Sequence, residues 1–309
     1  YPALKSQLPL FLQVKALGVS YFTFKFLHVL IDTYRGRIKD LDLLTFSAFI
    51  FFFPTFSAGP IDRYPRFKRN IEDDKLCDSS QTRLSQQALN SLKERFFATL
   101  KMTKSDKKDF SVQTETKKQL SYLAKEDVDI GVSRIIIGLF KKFIIADKTG
   151  ILIARLAPDI LKASRPILWF VVFLYSIRIY YDFSGYTDIA IGLSRLFVFK
   201  VPENFNKPYL KPNIVAFWQN WHMTLTSWLR EYLFMPIGKM LIGFMGTGHT
   251  WFINSICQLI TMAAVGIWHG STAGFLIWGL YHGIGLSLYK VYSDLLKKYG
   301  SERFLDLLN

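Results

Sequence analysis

The run Trp251-Phe-Ile-Asn-Ser-Ile-Cys-Gln-Leu-Ile-Thr-Met-Ala-Ala-Val-Gly-Ile-Trp268 carries no charged side chain over 18 residues. As an α-helix it is about 27 Å long, close to the hydrocarbon thickness of a bilayer. Working outward, further apolar runs recur at residues 10–31, 43–57, 130–146, 166–181 and 272–292, divided by short basic or Pro/Gly-rich segments. A chain in lipid must satisfy its own backbone groups, and runs of this length do so as helices. The expected fold is therefore all-α: a polytopic transmembrane helical bundle, one domain over residues 1–309. The 28 Phe, 15 Tyr and 7 Trp fit lipid-facing and interfacial positions.

Several runs carry their own punctuation. Residues 10–31 include Lys15, Lys25 and His28, which suit a helix packed in a bundle or partly interfacial. Residues 130–146 include Lys141-Lys142, able to snorkel or to mark a cytosolic end. Residues 186–199 form a short apolar segment after Asp182-Phe-Ser-Gly185 and are expected to be re-entrant or broken. Residues 61–127 are a polar loop, with surface helix expected around 81–100 and a mobile stretch at 101–118. Its basic start (Arg63, Arg66, Lys68, Arg69) follows an apolar run, which orients the loop to the cytosol. The chain opens at Tyr1 beside an apolar run, shows no signal peptide, and is expected to be a fragment lacking terminal spans.

The formal net charge is +15. Its cations flank apolar runs, so they are topology signals and contacts to anionic lipid rather than a nucleic-acid surface. Cys77 and Cys257 are too few and too separated for a disulfide framework or a metal site. No metal is expected: the histidines lack i,i+4 or His-Glu spacing. Gly243-Phe-Met-Gly-Thr-Gly lacks the lysine of a phosphate loop, and no Gly-x-Ser-x-Gly elbow occurs. Nucleotide hydrolysis and covalent serine catalysis lose ground accordingly.

Two histidines stand out. His269 lies in Gly266-Ile-Trp-His-Gly270, and His222 in Phe217-Trp-Gln-Asn-Trp-His-Met-Thr-Leu-Thr-Ser-Trp228. An ionisable group at membrane depth is costly and marks function by default. Imidazole is also the side chain suited to moving a proton near neutral pH. The glycines around Trp268-His269 admit close approach by another backbone or a ligand. From Asn213 onward Trp218, His222, Leu225 and Leu229 recur at helical spacing, which predicts one face of an amphipathic helix lining a cavity. The residues alone leave open an inert helix-end histidine, or core packing, against a proton-transfer pair. His282 could face His269 from the next helix, with packing its expected role; His28 and His249 look ordinary. A transporter with a histidine relay would want paired midplane carboxylates and repeat symmetry. Only Asp182 and Asp188 are near, and no repeat is visible. A membrane scaffold is the third class.

At these stretches the chain resembles the membrane-bound O-acyltransferase family in its bacterial branch. Residues 182–192 (Asp-Phe-Ser-Gly-Tyr-Thr-Asp-Ile-Ala-Ile-Gly), 202–209 (Pro-Glu-Asn-Phe-Asn-Lys-Pro-Tyr) and 217–232 look like the alginate O-acetyltransferase type. So do Gly138-Leu-Phe-Lys-Lys-Phe-Ile-Ile-Ala-Asp147, Ile267-Trp-His-Gly270 and Trp278-Gly-Leu-Tyr-His-Gly283. Phe53-Pro-Thr-Phe-Ser-Ala-Gly-Pro-Ile-Asp-Arg-Tyr-Pro-Arg-Phe67 leans toward the teichoic-acid D-alanyltransferase type.

The resemblance implies helices around a central tunnel, with His269 the essential histidine and His222 its partner. It implies transfer of an acyl group, acetyl above all, from a cytosolic thioester to a hydroxyl of an exported polysaccharide or envelope polymer. D-alanyl transfer to teichoic acid is the alternative. His269 is the expected general base, and Trp218, Trp221, Trp268 and Asn220 are expected to bind substrate. Acetyl-CoA or an acyl carrier protein is the expected co-substrate, with no permanently bound cofactor. Expected partners are the lipid bilayer and an extracytoplasmic acyltransferase, at the bacterial cytoplasmic membrane. The stretch at 101–127 looks like an insertion.

Overall fold

Helix ends in this chain are set by short side chains and by proline, and they revise several of the expected spans. A computed structural model describes residues 19–56, 59–72, 115–156, 162–197, 199–270 and 272–299. No strand occurs among them. The chain forms two compact units, Tyr1–Pro202 and Glu203–Asn309. Most of the polar loop, including the helix expected around 81–100, lies outside the described residues.

In the first unit, α1 (Val19–Tyr34) carries Lys25 and His28 into the interior, each only 1% exposed. Neither is interfacial. Lys25 Nζ donates to Thr55 Oγ1 at 2.8 Å and lies 5.3 Å from the Phe49 ring centroid. His28 Nε2 accepts from the Tyr64 backbone N–H at 2.9 Å, which leaves Nδ1 to donate to Asp32 Oδ2 at 3.2 Å. Through Thr55 and Tyr64 these bonds tie α1 to the chain on both sides of Pro60. Asp42 caps α2 (Leu43–Ile50) by accepting from Thr45 N–H at 2.8 Å. Pro54, in the 3₁₀ turn Phe53–Thr55, cannot continue an α-helix, so residues 43–57 do not form one span. The chain turns into α3 (Tyr64–Glu72), whose Tyr64 and Phe67 pack with Val29, Phe49 and Ile50.

His28→Ala removes the acceptor for Tyr64 N–H and leaves a cavity in this core. It is expected to cost roughly 3–5 kcal/mol. Thermal melting in detergent reads the loss directly, and an unchanged midpoint would show that the histidine carries no stability.

The helix α4 (Glu115–Leu139) runs through a π-helical turn (Phe140–Ala146) into α5 (Asp147–Leu156). It packs against α6 (Arg165–Leu196), one continuous helix of 32 residues. The expected break at residues 182–185 is absent, for a physical reason. Gly185 meets Gly138, and Gly192 meets Gly131; a Cβ on Gly138 would lie 2.5 Å from the Gly185 carbonyl oxygen, and one on Gly192 2.6 Å from that of Gly131. Both glycine pairs recur at a spacing of seven, so the backbones touch at two levels. The carboxylates are paired across the same seam. Asp188 meets Arg134 and Lys141, and Lys142 Nζ reaches Asp182 and Asp147 at 2.6 and 2.9 Å. The acidic side chains thus hold the helix in place instead of ending it.

In the second unit the order is α7 (Ile214–Asn220), α8 (Met223–Leu229), a π-helical turn (Arg230–Phe234), α9 (Met235–Met245), α10 (Thr250–His269) and α11 (Ala273–Tyr299). Helices α10 and α11 form an antiparallel pair whose backbones approach closely at three glycines. A Cβ on Gly266 would strike the Phe275 carbonyl, and one on Gly279 that of Met262. One on Gly283 would come within 3.1 Å of Leu259 Cα. The glycine before Trp-His therefore admits another backbone, in the manner of small-residue packing between membrane helices. Ser287 Oγ lies 2.9 Å from Gln258 Oε1 across the same seam.

Among the described residues two helical stretches are long and apolar enough to cross a membrane, Arg165–Leu196 and Thr247–His269. α2, with 8 residues, is too short for the span expected there, and residues 10–18 of the first expected span lie outside the described residues.

Candidate active site

His269 is the last residue of α10, and the close α10–α11 seam sets what surrounds it. Its ring meets Trp278 of α11 edge-on at 5.3 Å and 89°, lies against Trp268 at 4.7 Å, and is parallel to Phe275 at 6.2 Å and 19°. Gly270 packs its backbone on that same Phe275 ring. The imidazole side chain is exposed at the helix end. It is held in orientation by aromatic faces on several sides.

Trp278 links His269 to a second histidine. His282, one turn further along α11, meets Trp278 at 4.9 Å and Trp218 of α7 at 5.2 Å and 87°. Trp218 and Trp278 also meet each other, at 6.1 Å. The Trp218 Nε1 and His282 Nδ1 atoms are buried and have no hydrogen-bond partner among the described residues. A buried polar atom of this kind is costly until a ligand oxygen or a water meets it.

His222 differs from its expected setting. The spacing of Trp218, His222 and Leu225 predicts one helix with a shared face. The structure breaks the helix between them: α7 ends at Asn220, Trp221 is extended, and His222 is left-handed with φ 43° and ψ 52° before α8 begins. No glycine or proline announces the break. His222 is buried, and its carbonyl accepts from Thr226 N–H at 3.0 Å. His222 and His269 belong to the same compact unit.

The other expected residues take distinct places. Trp221 is boxed by Phe205 at 5.1 Å, Phe217 at 5.6 Å and Tyr209 at 5.8 Å, so its ring packs the loop that precedes α7. Asn220 turns its Nδ2 back to the Ala216 carbonyl at 2.8 Å. Trp268 lies beside His269. Trp278 and His282 are not among the expected substrate-binding residues. Their i,i+4 spacing on a helix that comes after the His269 turn is the available signal.

A neutral imidazole can accept a proton from a hydroxyl, and ring N–H groups can donate to an oxyanion. The cluster holds both kinds of group within one aromatic assembly.

Known proteins share this stretch of chain. The sequence model of the membrane-bound O-acyltransferase family matches residues 4–305. The chain is 30% identical over 292 residues to the teichoic acid D-alanyltransferase of Bacillus subtilis (strain 168), covering 93% of the chain and 62% of that protein. It is 32% identical over 276 residues to the probable alginate O-acetylase of Azotobacter vinelandii, covering 88% and 44%. The peptidoglycan O-acetyltransferase of Helicobacter pylori is 29% identical over 315 residues, covering 92% and 49%. The chain thus spans about half the length of the curated relatives it matches.

Proposed function

Because the chain belongs to the membrane-bound O-acyltransferase family, we propose that it moves an acyl group, acetyl first, from a cytosolic thioester to a hydroxyl of an exported polysaccharide or envelope polymer. The observation that carries this reading is the environment of His269: an imidazole at a helix end, fixed by Trp268, Phe275 and Trp278.

The mechanism uses those groups in turn. His269, neutral, takes the proton of the acceptor hydroxyl as its oxygen attacks the thioester carbonyl carbon. The C–O bond forms and the carbonyl π electrons move to oxygen. His222 and the indole N–H of Trp218 are the donors available to that oxyanion. Collapse breaks the C–S bond, and the imidazolium returns its proton to the departing thiolate. Positioned general bases contribute about 10²–10⁴-fold to such steps. Acetyl-CoA or an acyl carrier protein supplies the thioester, and no resident cofactor takes part. The lipid bilayer is the solvent for the apolar helices, and a tunnel would admit the thin thioester arm of a charged carrier. An extracytoplasmic acyltransferase is the partner that would take the product onward.

The relatives' names support transfer to alginate, peptidoglycan or teichoic acid by those proteins. We take polysaccharide acetylation ahead of D-alanyl transfer because the alginate-type stretches surround His222. The test is transfer of labelled acetyl from acetyl-CoA, or from an acetylated carrier protein, to glycan by membranes containing the protein. Labelled D-alanine on a carrier protein is run in parallel. Transfer of D-alanine alone would reverse the order of the two substrates, and transfer of neither would remove the acyltransferase reading.

The donor side is separately testable. The loop at 62–127 is expected in the cytosol, so Ser80→Cys and Ser105→Cys in a Cys77→Ser background should resist an impermeant thiol reagent on intact cells. Labelling from outside reverses the orientation.

A further inference from the structure

His222 adopts a backbone conformation that side chains with a Cβ rarely take, and something must hold it there. Among the described residues only two non-glycine positions have positive φ, Lys207 at 46° and His222 at 43°. Both flank one small backbone clamp. Asn206 N–H donates to the Asn220 carbonyl at 3.1 Å, and Met223 N–H donates to the Asn204 carbonyl at 2.9 Å. The stretch 204–206 thus grips the chain on both sides of His222. Phe205 of the same stretch packs on Trp221.

The side chain of Asn204 completes the grip. It is fully buried, and its Oδ1 accepts from Thr224 Oγ1 at 2.6 Å and from Thr224 N–H at 3.3 Å. Those two bonds, with the one to the Asn204 carbonyl, engage the first residues of α8. His222 supplies no side-chain cap to that helix, so Asn204 does so from twenty residues upstream. The Nδ2 atom has no hydrogen-bond partner among the described residues. The oxygen is the end of the amide that acts.

We propose that Asn204 is the positioning residue of His222, holding the left-handed turn that presents the imidazole; the consequence for catalysis rests on the acyl-transfer reading. Leucine at this position keeps bulk and loses the acceptor. Aspartate, kept protonated by its complete burial, retains the carbonyl acceptor and replaces the partnerless amide nitrogen with a hydroxyl. Thr224→Val removes one of the two side-chain bonds and leaves the backbone one.

The test combines steady-state acyl transfer from acetyl-CoA with modification of His222 by diethyl pyrocarbonate, read by mass spectrometry on the intact protein in detergent. In the wild type, buried His222 is protected while His269 at its exposed helix end serves as an internal reference. In Asn204→Leu, kcat is expected to fall about tenfold with KM within about twofold, the size of one lost net hydrogen bond to a buried group. His222 is expected to be modified about tenfold faster relative to His269. Asn204→Asp should recover both, and Thr224→Val should lie between.

Unchanged labelling and unchanged kcat in Asn204→Leu overturn the proposal. So does a loss of kcat that tracks a lowered melting midpoint and is not recovered by Asn204→Asp. Faster labelling of His222 with unchanged kcat supports the positioning role and removes His222 from acyl transfer instead, which separates the two failures.

Discussion

His269→Ala is expected to abolish measurable acyl transfer, a loss of at least about 10²–10⁴-fold, the range that a positioned general base contributes. Folding should survive. The side chain sits exposed at the end of α10 and touches Trp268, Phe275 and Trp278 through ring contacts. Contacts of this kind are worth roughly 0.5–1.5 kcal/mol each. The close glycine contacts of the α10–α11 seam, at Gly266, Gly279 and Gly283, involve no atom of the histidine. Initial rates with labelled thioester and glycan, alongside the melting midpoint in detergent, check the two halves together. Turnover near the wild-type level in the folded variant would remove His269 from the chemistry.

His222→Ala is expected to reduce transfer strongly while leaving a residue, about 10²-fold, as for loss of one donor to an oxyanion. Here the backbone offers a control. Alanine at φ 43° is as strained as histidine, whereas glycine takes that conformation freely. His222→Gly should therefore melt no lower than His222→Ala and yet be equally impaired in transfer. Recovery of activity in the glycine variant would assign His222 to the turn and not to the reaction. A matching fall in melting and rate for both variants would mark it as a packing residue.

The physical signals that a sequence carries well are local ones. The uncharged run ending in Trp268-His269 is α10, and the next apolar run is α11. The pairing of Asp182 and Asp188 with bases is not local. Asp182, Ser184 and Gly185 look like a helix break until Gly138 and Lys142 are brought against them, and then α6 runs straight through. The reverse happens at His222, where nothing in Phe217–Trp228 marks a stop. The break comes from Asn204, twenty residues away from the Thr224 that it holds. Lys25 and His28 are legible as intruders in an apolar run. Their partners, Thr55 and Tyr64, lie beyond Pro54 and cannot be assigned from spacing. Within the site, the place of Trp278 is hidden because spacing alone does not show that its ring stands between His269 and His282.

The glycine seam between α10 and α11 has a mechanical consequence. Side chains between helices act as compliant spacers, since a rotamer change absorbs a small slide. Where Gly266, Gly279 and Gly283 bring backbone onto backbone, there is no spacer to yield. Sliding either helix by one turn would drive a side chain into a main chain at three levels at once. The pair therefore moves as one stiff body, and His269 and Trp278, one on each helix, keep their separation through any such movement. On the proposed mechanism, slack for substrates to enter and leave comes from elsewhere in the chain, and the distance between His269 and the Trp278 indole stays fixed through turnover.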